Sequence, residues 1–145
     1  MNEQQPASVP MRFWVLAAVS LLWNILGCVI FLSEVFAQEA MMEAMTEAQK
    51  AWARSTPNWV YFVFAISVST GVGGSIGLLL RKRWSVLLFA IGFLALLIQM
   101  GYTMVIAGGL QVMGPAGAVM PAIVLLLSIV WLLFSVFAKS KQWLA

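Results

Sequence analysis

Histidine and aspartate are missing from this 145-residue chain, and cysteine occurs once, at Cys28. The first absence removes the commonest general base and the commonest metal ligand. A lone thiol closes no intrachain disulfide, and no C-x-x-C pair offers a zinc or redox site. Charge is scarce as well: 9% of residues are charged, against about 25% in soluble domains. No nucleophile and base fall at a shared position, so the expectation is a protein that is not an enzyme and carries no cofactor and no metal.

What is abundant is apolar surface. Hydrophobic residues make up 63% of the chain, above the usual 45–50% or so, and too little polar surface is left to keep the fold in water. A helix needs about 20 apolar residues to cross about 30 Å of hydrocarbon. Four segments meet that length, at about 13–32, 59–80, 84–107 and 119–138. The first is a full bilayer length followed by a poor cleavage site, so it is expected to be a retained helix rather than a signal peptide. The fold class predicted is all-α: an integral membrane, antiparallel four-helix transmembrane bundle, with residues 1–145 forming a single membrane domain.

The basic residues sit where they orient such a bundle. Arg12, Arg81, Lys82, Arg83, Lys139 and Lys141 belong to one side, whereas only Lys50 and Arg54 belong to the other, among Glu34, Glu39, Glu43 and Glu47. The excess of cations marks the cytoplasmic face, which predicts both termini inside. That placement also explains the net charge of +3 without nucleic acid, which is not expected as a partner. The stretch 39–54 carries Met41, Met45, Ala48 and Trp52 at helical spacing, opposite Glu39, Glu43, Glu47 and Lys50. It predicts one short amphipathic outer helix on the membrane surface or over the bundle. A glycine-rich linker at 108–117 is expected between the third and fourth spans.

Helices in lipid associate through small residues and a few interhelical hydrogen bonds. Ala17, Ser20, Asn24 and Gly27 form such a stripe on the first span, and Glu34 prolongs it outward. Ala65, Ser69, Gly73 and Gly77 stand four apart on the second, with Gly73 and Gly77 making a G-x-x-x-G; Gly92, Ala95, Gln99 and Tyr102 recur at 3-4-3 spacing on the third, and Ser128 and Ser135 lie a heptad apart on the fourth. At about 1.5 Å of rise per residue, Asn24, Thr70 and Ser128 reach similar depth and are expected to share hydrogen bonds at the midplane. Gln99, Tyr102 and Glu34 would then form a wetter outer mouth.

Two readings of these polar groups stand side by side. Asn24 and Gln99 are either a solute-binding pair or glue between helices, and Glu34 is either a cation or proton site or an interfacial anchor. Met41, Met42, Met45, Met100, Met104, Met113 and Met120 crowd the outer half; thioethers select Cu(I) but also fill irregular gaps.

The runs Leu21-Leu22-Trp23-Asn24-x-x-Gly27, Thr56-Pro57-x-Trp59 and Leu78-Leu79-Leu80-Arg81-Lys82-x-Trp84, with Gln99-Met100 further on, resemble an uncharacterised family of small bacterial four-span membrane proteins often labelled "sugar transporter". The resemblance covers most of the chain, and its motifs describe packing and topology. In span number and size the chain is also similar to the DoxX-type four-helix proteins. The family resemblance implies a bacterial inner-membrane location. Two functions follow as expectations: a structural, accessory or partner-binding membrane protein, within a larger membrane complex or a homodimer, or a small-solute, sugar-like permease. The first predicts a closed, packed interior; the second predicts a cavity that reaches the midplane.

Overall fold

The computed structural model describes residues 8–145. Among these described residues seven α-helices follow one another: α1 (Met11–Phe36), α2 (Gln38–Met42), α3 (Glu47–Arg54), α4 (Asn58–Leu79), α5 (Trp84–Met100), α6 (Gly109–Gly117) and α7 (Val119–Ser140). A π-helical turn, Gly101–Ile106, prolongs α5. Four of the resulting helices, Met11–Phe36, Asn58–Leu79, Trp84–Ile106 and Val119–Ser140, are long and apolar enough to span a membrane. Their apolar residues point outward as well as inward: Leu22, Phe62, Leu94 and Leu126 are each more than half exposed. A helix that is apolar all round belongs in lipid, and the chain is a multi-pass, all-helical membrane protein.

The helices stand in the order α1, α4, α5, α7. α4 packs against both α1 and α5, and α5 packs against α7. The G-x-x-x-G faces α5: a Cβ on Gly73 would lie 2.9 Å from Leu88, and one on Gly77 2.7 Å from the Trp84 ring. The rest of the predicted stripe is corrected. Ser69 is exposed, and the glycine that receives α1 is Gly71, against which the Asn24 side chain lies. A helix with a neighbour on each side uses two faces, so one four-residue stripe cannot describe it.

The two ends of the bundle differ. At the basic end a cluster of Phe13, Ala17, Leu78, Phe89, Trp131, Ala138, Trp143 and Leu144 is buried, with Val9 packed against it. Phe13 brings α1 to α7 here through Phe134, and meets Trp143 edge to face. The loop after α4 holds the segment 143–145 in place: Arg81 Nε donates to the Trp143 carbonyl at 2.7 Å and Arg83 Nε to that of Leu144 at 3.3 Å. Backbone bonds from Ala145 N to Arg81 O and from Arg83 N to Ala145 O complete the clamp. Arg81 and Arg83 therefore seal this end as well as marking it.

At the opposite, cap end the expected single helix over 39–54 is two. α2 stops at Met42, and Thr46 starts α3 by accepting from the Gln49 backbone N–H while Gln49 accepts from Thr46 N. Such a reciprocal capping box is a helix start signal, and it overrides the continuous amphipathic spacing. The expected linker at 108–117 is helical, broken at Gly114, whose φ of 71° precedes Pro115. α3 rests on this segment through Trp52, whose ring lies 2.9 Å from where a Gly109 Cβ would stand.

Candidate functional site

The interior between the four long helices is not filled. A cavity of about 260 Å³ is lined by residues of all four, among them Trp23, Asn24, Phe64, Phe89, Gln99 and Trp131. That volume falls just under the range of about 300–1,000 Å³ usual for small-molecule sites. The basic-end cluster forms its floor, because Phe89 and Trp131 belong to both. Leu26, Ile30 and Met120 also line it, although they are 47%, 37% and 50% exposed. The cavity thus opens sideways between α1 and α7 in the half nearer the cap, where the surroundings are lipid. A second space of about 170 Å³ lies beneath α2 and α3, walled by Met41, Met42, Met45, Trp52 and Tyr61. Glu34, Phe64, Gln99, Thr103 and Met104 line both spaces and form the partition between them.

Two residues that line the main cavity each carry an enclosed polar atom with no hydrogen-bond partner among the described residues. Gln99 Oε1 and Trp131 Nε1 are both buried and unpaired, and Trp131 is only 6% exposed. Counted at about 1.5 Å per residue, Trp131 lies roughly 18 Å below the start of α7, so the unpaired donor is deep and the unpaired acceptor nearer the cap. Buried polar groups without partners are few in native proteins and each asks for a cause, since one such group costs about 1–3 kcal/mol. The backbone around Gln99 explains its position. The π-helical turn follows directly, and Thr103 Oγ1 within it donates to the Gln99 carbonyl at 3.0 Å. π-turns inserted in α-helices frequently mark functional sites.

The other residues singled out from sequence divide between wall and seam. Asn24 lines the cavity, but its amide nitrogen is committed to packing: Nδ2 donates to Ser20 O at 2.8 Å and to Ser75 Oγ at 3.2 Å. Ser128 lines the cavity and donates to Leu125 O at 2.7 Å. Thr70 donates to Ile66 O at 2.7 Å and abuts Gly92 at the α4–α5 seam. The predicted sharing of hydrogen bonds among Asn24, Thr70 and Ser128 does not form, because each serine or threonine hydroxyl is claimed by a carbonyl of its own helix. Tyr102 packs edge to face on Trp59 at 4.8 Å, at the α4–α5 seam and not at the mouth. Glu34 stands in the partition, in the last turn of α1. Cys28 is half-buried, with Sγ 3.9 Å from the Val68 carbonyl.

Trp131 went unnoticed in the sequence, although a signal was there. Tryptophan in a membrane protein belongs at the interfaces, and one in the middle of a span carries an N–H that lipid cannot satisfy. Comparison with family models, curated proteins and solved structures finds no match to this chain.

Proposed function

We propose that this protein is a small-solute permease or carrier whose cargo occupies the cavity between the four long helices. The observation that supports it is that interior space itself, lined by all four long helices, with two wall residues, Gln99 and Trp131, each carrying a buried atom unpaired among the described residues. A bundle whose only work is to hold partners gains nothing from such a space, and lining atoms that face a void forfeit dispersion contacts. The chemistry of the wall favours an amphipathic solute over a sugar. Trp23, Phe64, Phe89 and Phe93 dominate it, and a ring of hydroxyls would lose its water there without enough partners in return.

The location proposed is a bacterial inner membrane, following the family resemblance, with both chain ends in the cytoplasm. The bias of lysine and arginine toward the basic end supports that orientation, as does the packing of Val9 in the same cluster as Trp143 and Leu144. The cavity then faces the outer leaflet and is shut toward the cytoplasm. Reporter tags fused to each end should both read out from the cytoplasmic side.

The function is tested with protein purified in native lipid, comparing wild type with Ser128→Phe, which fills the cavity. Mass spectrometry of the small molecules released on denaturation should find at least one that wild type retains and the filled variant loses. Identical sets from the two proteins would overturn the reading.

A further inference from the structure

We infer that the solute is an amphipathic amine, held as its ammonium by Glu34 and Gln99 at the cap side of the cavity with its apolar body against the aromatic wall; this deepens the carrier reading and rests on it.

The argument starts from charge. Among the described residues, Glu34 is the only charged one in the walls of either space, and no lysine or arginine contributes to them. The two cations of the cap end are already engaged: Lys50 with Glu47 at 3.0 Å, and Arg54 with Glu39 at 3.1 Å. Among the described residues, then, Glu34 has no salt-bridge partner. A carboxylate in a largely apolar wall needs a counter-charge or hydrogen-bond donors; among the described residues no salt bridge or hydrogen bond to Glu34 is made, and the nearby polar groups of Gln38 and Tyr61 bond to each other. Glu34 also lies in the last turn of α1, with no basic residue beside it. The carbonyl end of a helix carries partial negative charge and favours a cation, so the helix and the carboxylate act with the same sign.

The second observation is independent of the first. Gln99 Oε1, on the same partition as Glu34, is a buried acceptor without a donor among the described residues, enclosed so that a solute meets it by a turn of the Gln99 side chain. An acceptor and an anion together are matched by a group that is both a donor and positive, which an ammonium is. The deep end asks for the opposite. Trp131 Nε1 is an unpaired donor among the described residues, enclosed by the protein, so an oxygen acceptor at the far end of the molecule would satisfy it once the indole turns toward the cavity. Between the two ends, Trp23, Phe64 and Phe93 offer aromatic faces, which accept either an apolar body or a cation. The lateral opening past Leu26, Ile30 and Met120 suits a molecule already dissolved in the membrane. Two sources share this chemistry: a free lipophilic amine, or the aminoethyl headgroup of a lipid reaching in from the leaflet.

The test uses full-length protein in phosphatidylcholine nanodiscs, titrated calorimetrically with 4-phenylbutylammonium and with 4-phenylbutanol, empty nanodiscs serving as the blank. The two probes share one body and differ in charge. Wild type should bind the amine about tenfold more tightly than the alcohol, a ratio in keeping with one desolvated charge pair. Glu34→Gln should bring that ratio to about unity while leaving the alcohol's affinity in place. Should that variant not fold, the wild-type ratio decides by itself. Equal affinity of wild type for both probes overturns the amine assignment and leaves the carrier reading standing. Binding of neither probe above the blank, with Ser128→Phe behaving as wild type, overturns both. Nanodiscs of phosphatidylethanolamine separate the sources: competition that weakens the amine's binding identifies the lipid headgroup, and unchanged binding identifies a free amine.

Discussion

Ser20 of α1 and Ser75 of α4 are joined hydroxyl to hydroxyl at 2.6 Å, with no surface of either residue exposed. Asn24 Nδ2 adds a donor to the same Ser75 oxygen at 3.2 Å, and Ser75 in turn reaches the Gly71 carbonyl at 2.9 Å. This small network, on the floor side of the cavity, fixes how α1 is rotated against α4. It therefore sets which residues of α1 face the interior.

Replacing Ser75 with alanine should loosen α1 from α4. Interhelical hydrogen bonds in lipid are worth about 0.6 kcal/mol on average and up to about 1.7, so Ser75→Ala should lower stability by about 1 kcal/mol in a detergent unfolding titration. Ser33→Ala is the control, because its hydroxyl bonds only to Val29 O of its own helix. A double-mutant cycle of Ser20→Ala with Ser75→Ala that shows no coupling would refute the network.

Glycine substitutions should separate sharply by position. A Cβ on Gly71 collides with the Asn24 side chain, whereas nothing lies within 4 Å of one on Gly101. Gly71→Val should cost about 1–3 kcal/mol through overpacking and lower the melting temperature. Gly101→Ala should be neutral, or stabilising by up to about 1 kcal/mol. Equal effects at the two positions would count against the close approach of α1 and α4.

The cap should depend on Thr46 and on pH. Thr46→Ala removes the capping box and should weaken α3 by about 1 kcal/mol, read as faster amide exchange over residues 47–54 than in wild type. Lys50, by its hydrogen bond and its charge, holds the Glu47 carboxyl below the ordinary glutamate range. A carboxyl lowered by folding adds stability above its unfolded value, about 4.3, and loses it as pH falls through the lowered one. Exchange in α3 should therefore rise on acidification below about pH 4.3, modestly because the pair is exposed and screened. Glu47→Gln should remove that rise.

The clamp at the basic end is testable by labelling. Leu144 is 1% exposed, so Leu144→Cys in a Cys28→Ala background should react slowly with a membrane-impermeant maleimide. Adding Arg81→Ala removes the donor to Trp143 O, and labelling should quicken several-fold as the segment opens locally. An unchanged rate would show that the burial of Trp143 and Leu144 holds the segment without Arg81.

Much of the fold was legible in the chain. The spans expected at 59–80 and 84–107 match Asn58–Leu79 and Trp84–Ile106 closely, because apolar length is a local property. The stripe of Ala17, Ser20, Asn24 and Gly27 does face α4: Ala17 and Ser20 are fully buried, and Asn24 meets Ser75 there. The break between α2 and α3 was also written in the sequence, in Thr46-Glu47-Ala48-Gln49, but the longer amphipathic period obscured it. Of the mouth residues, Glu34 and Gln99 share the partition, whereas Tyr102 packs at a seam beside Trp59. Gln99 and Tyr102 are three positions apart, and in a regular helix they would share a face. The π-helical turn that begins at Gly101 shifts that register.

The sequence by itself determined the class of protein, the number of long apolar helices and the charge asymmetry between the bundle's ends, because each depends on residues close together in the chain. Only the tertiary structure decided that, among the described residues, Asn24 Nδ2 finds partners while Gln99 Oε1 and Trp131 Nε1 do not, and that Glu34 makes no salt bridge. Those outcomes depend on how each helix is rotated about its axis against its neighbours, and that rotation is set by contacts such as Ser20 with Ser75, more than fifty residues apart.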